Sequence, residues 1–326
     1  MARTREPRRR QFETVATLPA LPASIPSAFA ILQSTEIEEA IMYVVMGASG
    51  NTGHIVAESL IEAGKQVRAV GRSAEHLQRL VTKGAELCIC DVADRLALAK
   101  AFSDAEGVYV MIPPNPTSRD YRASQDRITD SIAAALEASE VDYAVALSSF
   151  GADKKDKTGP VVGLHYLEQR LSQVASLNVL FLRPGYFMEN TLAQIGIIKA
   201  MGTTAGPLRG DLDLPLIATQ DIGEYAADAL LSLEFTGQNT QELLGERDVT
   251  MIEAASIIGR SIDNPELSYL QLPPAEVRRA FTGMGMSENM ADLMLEMCDA
   301  LNSGHMAALE ERTDSNTTPT SYETWV

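Results

Sequence analysis

Cysteine is scarce in this chain of 326 residues, which contains only three: Cys88, Cys90 and Cys298. A small and odd number of cysteines argues against a disulfide framework and is typical of a protein from a reducing compartment. Long apolar runs are also missing from the sequence, since no stretch approaches the roughly 20 apolar residues that a membrane-spanning helix needs. We therefore expect a cytoplasmic protein that has no membrane partner.

Positively charged residues are scarce: the chain has 27 Lys and Arg against 44 Asp and Glu, which gives a formal net charge of −17. Such a surface repels nucleic-acid phosphates, so we expect no nucleic-acid partner. Histidine occurs four times, without the spacing of metal ligands, and we expect no metal site. A hydrophobic content of 45% is typical of a globular protein. We expect this protein to be a monomer or a homodimer.

The first 40 residues differ in composition from the rest of the chain. Residues 1–10 are rich in arginine, and residues 11–33 are rich in Pro, Ala and Ser without a sustained period. Composition favours a disordered extension outside the mature fold. Two alternatives stay open: a secretory signal, although prolines interrupt its apolar stretch, or residues upstream of a true start at Met42.

From residue 41 onward, short apolar runs alternate with amphipathic stretches. The apolar runs predict six strands, at residues 41–46, 66–70, 87–90, 107–112, 143–147 and 179–182. The stretches between them predict helices at residues 52–63, 73–81, 96–102, 121–139 and 164–174. Strand–helix units in series require parallel strands with right-handed crossovers. The pattern therefore predicts an α/β fold with a doubly wound parallel sheet, the Rossmann architecture, over residues 41–184.

The alternation stops after Pro184. Residues 219–233, 251–258 and 273–302 have helical patterns, and residues 267–272 read as a strand. We expect residues 185–326 to form a smaller, mixed α+β lobe over the carboxyl ends of the parallel strands, where a small-molecule substrate would bind. The polar tail from residue 313 is expected to lie loosely on the surface.

A glycine-rich turn joins the first predicted strand to the first predicted helix. Gly47 permits a sharp turn, Gly50 permits close approach of a pyrophosphate, and Gly53 lets the helix pack close to the strand. The free N–H groups and the positive dipole end of the helix would then face the phosphates. The turn also carries three side chains that could donate hydrogen bonds at the rim: Ser49, Asn51 and Thr52.

The end of the second strand indicates which dinucleotide would bind. A carboxylate at this position accepts from the ribose of NAD, whereas the chain has Arg72, which could clamp the 2′-phosphate of NADP. Asp91 and Val92 end the third strand, where we expect contact with the adenine, although Asp91 could instead cap the following helix. The predicted cofactor is NADP(H).

Two further strand ends are expected to contact the other half of the cofactor. Ile112 and Pro113 end the fourth strand beside the expected position of the nicotinamide ribose. Ser148 and Ser149 end the fifth strand and could hydrogen-bond a carbonyl or the ribose. Equally, their hydroxyl groups could only satisfy backbone groups at the strand end.

Five segments together resemble one known family, the NmrA-like atypical short-chain dehydrogenases/reductases. They are Gly-Ala-Ser-Gly-Asn-Thr-Gly at 47–53, Val-Gly-Arg at 70–72, Cys-Asp-Val-Ala-Asp at 90–94, Leu-Arg-Pro-Gly-Tyr-Phe-Met-Glu-Asn at 182–190 and Ala-Thr-Gln-Asp-Ile-Gly at 218–223. The resemblance implies an NAD(P)-binding protein, but the family is functionally mixed. It contains NADP-dependent quinone reductases, isoflavone- and lignan-type reductases, and regulators that sense NADP without turnover.

The chain departs from the usual catalytic pattern of short-chain dehydrogenases. That mechanism needs a Tyr-x-x-x-Lys pair, which the sequence lacks. Many NmrA-like enzymes instead have a Lys four residues before a helical Glu; if that Glu is Glu168, Leu164 occupies the Lys position. This leaves His165 and Tyr166 as the predicted proton donors, although both could equally serve packing.

Tyr186, Phe187 and Asn190 follow the sixth strand, in a segment that the resemblance places over the nicotinamide and the substrate. The two aromatic rings could stack on a flat substrate or could pack between the lobes. We expect an oxidoreductase that transfers hydride to a small quinone or conjugated carbonyl. The alternative is a regulatory protein that senses NADP(H) without catalysis.

Overall fold

A parallel sheet of seven strands forms the centre of the molecule in the computed structural model, which describes residues 41–326. The predicted extension of residues 1–40 lies outside the described residues. The strands of the described chain are β1 Met42–Met46, β2 Gln66–Gly71, β3 Glu86–Ile89, β4 Ala105–Val110, β5 Tyr143–Leu147, β6 Asn178–Pro184, β7 Tyr186–Phe187, β8 Thr204–Gly206, β9 Leu214–Ile217, β10 Gln238–Leu243, β11 Asp248–Val249 and β12 Tyr269–Gln271.

Helices cover both faces of the sheet and build the second lobe. They are α1 Gly53–Glu62, α2 Ala74–Thr82, α3 Arg95–Phe102, α4 Tyr121–Ser139, α5 Val162–Leu171, α6 Gln194–Met201, α7 Thr219–Ser232, α8 Met251–Ser261, α9 Pro274–Gly283, α10 Glu288–Ser303 and α11 Tyr322–Trp325, with short 3-10 helices at Gly159–Val161 and Met188–Ala193.

The sheet has the strand order β10-β6-β5-β4-β1-β2-β3, and all neighbouring strands are parallel. Its central strands are buried on both faces, which explains why they read as continuous apolar runs. The helices α3, α4 and α5 contribute Leu98, Ile132 and Leu167 to the core on one face. On the other face, α1 and α7 contribute Leu60 and Leu230. The predicted doubly wound α/β fold is confirmed.

The predicted boundary at residue 184 needs a correction for two later elements. Strand β10 pairs with β6 and extends the sheet, and α7 packs against α1 in the layer of helices on one face of that sheet. Strand β10 was not predicted because Gln238–Leu243 is a polar edge strand without apolar alternation. The remaining elements form a three-stranded sheet, β11-β9-β7, and a two-stranded sheet, β12-β8, with helices beside them.

The C-terminal tail is anchored and does not lie loosely on the surface. The carboxylate of Asp221, in α7, accepts from the backbone N–H and the hydroxyl of Thr320 at 3.1 and 2.5 Å. The Tyr322 hydroxyl donates to Thr191 at 2.8 Å, and its ring is 1% exposed. The tail therefore stabilises the segment that follows β7. Within residues 41–326, no helix has the length and apolar character that crossing a bilayer requires.

Candidate functional site

The turn after β1 can form only because glycine occupies its key positions. Gly47 has a φ of +61°, and the Gly50 N–H donates to the Gly47 carbonyl at 2.8 Å. A Cβ on Gly53 would lie 2.3 Å from that same carbonyl oxygen, so a side chain there would push α1 away from the turn. The helix therefore starts in direct contact with the end of β1.

The exposed part of this turn suits an anion. Ser49, Gly50 and Asn51 are exposed, and the first turn of α1 contains no acidic residue that would compete for its free N–H groups. The Thr52 side chain was predicted to donate to the ligand, but it is buried, and its hydroxyl lies 2.8 Å from the hydroxyl of Tyr109. Only its backbone is left for a ligand. These residues fit the pyrophosphate of a dinucleotide.

A cavity of about 570 Å³ lies beside the ends of β2, β3 and β4, and it brings together Arg72, Asp91, Val92 and Pro113. Arg72 is exposed and Val92 is buried. Asp91 accepts from the backbone N–H of Ala93 at 3.0 Å and does not cap α3.

The capping role belongs to Asp94, which accepts from the backbone N–H groups of Leu96 and Ala97. Arg127, on α4, adds a second guanidinium to the same cavity. Arg127 was not predicted, because nothing in the sequence of a long amphipathic helix marks which exposed residue faces a neighbouring strand end.

A second cavity, of about 270 Å³, lies at the carboxyl ends of β4, β5 and β6. The predicted residues that line it are Ile112, Ser148, Ser149, Tyr186, Phe187 and Asn190. Met111 also lines this cavity, and its sulfur would lie 2.7 Å from a Cβ on Gly47. The cavity therefore adjoins the glycine-rich turn, at the edge of the sheet where ligands of doubly wound proteins bind.

No lysine, histidine or carboxylate lines this second cavity in the described chain. Within residues 41–326, the only ionisable side chains that line it are the phenols of Tyr121 and Tyr186. Burial raises the pKa of Tyr121, and burial, together with neighbouring Cys298, raises the pKa of Tyr186. Both phenols are therefore protonated at neutral pH. Among the described residues, no cluster of His, Cys, Asp and Glu could hold a metal ion.

His165 and Tyr166 do not line the second cavity, which contradicts their predicted role as proton donors. His165 Nδ1 lies 2.7 Å from the Ala152 carbonyl, and the ring faces a separate polar cleft. Tyr166 donates to Asp130 Oδ1 at 2.9 Å, and this bond raises the pKa of Tyr166. Because successive helical residues rotate by about 100°, Leu164 faces the cavity while the next two residues turn away.

The two serines after β5 use their hydroxyl protons inside the protein. Ser148 Oγ donates to Glu168 Oε1 at 2.6 Å, and Ser149 Oγ donates to the carbonyl of Phe150 at 2.9 Å. Arg183 donates to both oxygens of the same carboxylate, with Nε 2.9 Å from Oε1, which also accepts from Ser148, and Nη2 2.6 Å from Oε2. Such a two-point contact fixes the orientation of the carboxylate.

Comparison with known proteins gives several relatives of low identity. An NAD(P)H azoreductase of Xenophilus azovorans is 26% identical over 258 residues, which cover 78% of this chain and 86% of that protein. Quinone oxidoreductase 2 of Escherichia coli is 26% identical over 262 residues, with coverage of 78% and 86%.

Two solved structures share the fold along most of their length. An NADPH-dependent quinone oxidoreductase of Escherichia coli, complexed with NADPH, has a TM-score of 0.73 at 20% identity and covers 87% of this chain and 98% of its own. The Citrobacter sp. triphenylmethane reductase complexed with NADP(H) has a TM-score of 0.71 at 18% identity, with coverage of 87% and 98%.

The model of the NmrA-like family matches residues 41–325, which is almost all of the described chain. The match spans the glycine-rich turn, both cavities and the anchored tail. The chain belongs to the NmrA-like family.

Proposed function

We propose that this protein is an NADP(H)-dependent oxidoreductase that transfers hydride to a small quinone or conjugated carbonyl acceptor. The names of its relatives, an NAD(P)H azoreductase and a quinone oxidoreductase, support nicotinamide-dependent reduction. The observation that carries the choice of acceptor is the cavity of about 270 Å³ beside the glycine-rich turn, which no charged side chain lines within residues 41–326.

The proposed cofactor site runs from the first cavity to the second. The turn at residues 47–53 would hold the pyrophosphate, and Arg72 would pair with the 2′-phosphate of NADP. Asp91 and Val92 would contact the adenine. Ile112 and Pro113, with the serines after β5, would lie along the nicotinamide half.

The chemistry of the second cavity suits an acceptor that needs little help from an acid. When bound, NADPH supplies a hydride, and in a quinone or conjugated carbonyl the added electron pair is delocalised onto an oxygen that water can protonate. Reduction of a simple ketone forms a localised alkoxide and needs an acid tuned for the task. If Glu168 is the helical Glu of related enzymes, Leu164 replaces the lysine that would tune such an acid, and Leu164 lines this cavity.

The aromatic wall would hold the acceptor. Tyr186 and Phe187 line the cavity, and either ring could stack on a flat conjugated ring. Asn190 lies beside them, and its amide N–H can donate a hydrogen bond to the oxygen that gains charge.

The test is the oxidation of NADPH in the presence of a panel of acceptors. We expect turnover with menadione and 1,4-naphthoquinone and none with cyclohexanone. Phe187→Ala should raise KM for the quinones, while Leu192→Ala, which changes an exposed residue outside the cavity, should match the wild type. Tight NADPH binding without turnover of any acceptor would refute the proposal and favour the non-catalytic NADP(H)-sensing alternative.

A further inference from the structure

We infer that Ser148 presents only hydrogen-bond acceptors to the second cavity, because Glu168 and Arg183 fix its hydroxyl proton, and that it therefore selects a ligand with an O–H or N–H donor at this wall. Glu168 and Arg183 are positioning residues that act through Ser148. The inference rests on the proposed function for one point only, the identity of the two candidate ligands: the cofactor and the quinone.

The direction of the Ser148 hydrogen bond follows from the donors and acceptors around it. Arg183 has only donors, and both oxygens of the Glu168 carboxylate accept from it, so Glu168 is the acceptor of this group. The hydroxyl proton must therefore point from Ser148 towards Glu168, over the 2.6 Å that separates their oxygens. Ser148 lines the cavity, so its remaining lone pairs are what a ligand meets there.

Burial of Ser148 and Glu168 limits the movement of this arrangement. Ser148 is 3% exposed and Glu168 is 8% exposed. The backbone N–H of Ser148 also donates to the carbonyl of Leu182 at 2.8 Å, which fixes the serine against β6. A rotation of the hydroxyl would leave a buried carboxylate oxygen with one donor fewer, which disfavours it.

The experiment compares Ser148→Ala with Ser148→Thr, which keeps a hydroxyl. The dissociation constant of NADPH is measured without an acceptor, and KM is measured for 5-hydroxy-1,4-naphthoquinone and for 1,4-naphthoquinone. We expect Ser148→Ala to weaken one of these ligands by about 3- to 10-fold, the effect of one lost hydrogen bond, and Ser148→Thr to stay near the wild type. The ion pair between Glu168 and Arg183 remains intact in both variants.

The two arms identify the source of the donor. A higher NADPH dissociation constant assigns it to the cofactor, and a higher KM for the hydroxylated quinone alone assigns it to the substrate. Gln169→Ala is the matched control, since Gln169 neighbours Glu168 in the chain but does not line the second cavity. Unchanged values in both arms for Ser148→Ala would overturn the inference.

A double-mutant cycle separates positioning from general stability. If Glu168→Gln acts through Ser148, adding Ser148→Ala to it should cause little further loss, whereas additive losses would refute the positioning role. If Glu168→Gln fails to fold, the contrast between the Ala and Thr variants of Ser148 still decides the inference. Because NADPH binding is measured without turnover, this test gives a result even if no quinone is reduced.

Discussion

Substitution of Gly53 by alanine tests the structural basis of the proposed nucleotide site. The new Cβ would lie 2.3 Å from the Gly47 carbonyl oxygen and 2.7 Å from its carbon, whereas ordinary contacts begin at 3.4 Å. The overlap is about 1 Å with backbone atoms, which no side-chain rotation can relieve. The start of α1 must therefore move by about that distance from the end of β1.

The expected loss in stability can be compared with that of a matched glycine. Overpacking of this kind costs about 1–3 kcal/mol. Gly196 lies in α6 with no atom within 4 Å of a Cβ, so Gly196→Ala should instead stabilise the protein by about 1 kcal/mol through helix propensity. Urea unfolding should therefore separate the two variants by about 2–4 kcal/mol.

The same displacement should also weaken the binding of NADPH. Moving the first N–H groups of α1 by about 1 Å removes one or two hydrogen bonds to a charged phosphate, which corresponds to about a 10- to 100-fold rise in the NADPH dissociation constant. Fluorescence titration with NADPH measures it. A Gly53→Ala variant that unfolds at the same urea concentration as the wild type and binds NADPH equally well would refute this reasoning.

Three further predictions concern individual side chains. Arg72→Ala should lower the preference for NADPH over NADH by about 10- to 100-fold, measured as the ratio of dissociation constants, because a charge-assisted contact to the 2′-phosphate is lost; equal preference in the wild type would contradict it. His165→Ala and Tyr166→Phe should leave kcat for menadione within about 2-fold of the wild type, since neither side chain lines the cavity, and a large loss would reinstate them as proton donors. The raised pKa values of Tyr121 and Tyr186 keep both phenols protonated, so kcat/KM should be flat from about pH 6 to about pH 9; a bell-shaped profile would reveal an acid or base that this account lacks.

The glycine-rich turn and the central sheet were predictable because their signals are local. A buried parallel strand reads as a continuous apolar run, as β1 does, and the turn that follows it needs glycine for reasons of backbone geometry alone. The gathering of Tyr186, Phe187 and Asn190 at the second cavity was also predictable, because they directly follow β6 at the carboxyl edge of the sheet.

The predictions failed where the outcome depends on the direction of a side chain or on contacts between residues far apart in the chain. The apolar pattern predicted a helix from residue 164, and the structure has it from Val162. The pattern does not show which residue of the helix faces the cavity: Leu164 does, and the next residue, His165, does not. Strand β10 is polar because it is an edge strand, and only its pairing with β6 identifies it. The anchoring of the tail depends on Asp221, which lies 99 positions before Thr320. None of these features has a local signal.

The most direct test of the proposed function follows a single turnover of NADPH with menadione under stopped-flow conditions. We expect one NADPH to be consumed for each quinone reduced. We also expect a slower rate when deuterium replaces the transferred hydrogen, because hydride transfer breaks that bond. Tight binding of NADPH without consumption, in the presence of menadione and the other quinones, would contradict the account.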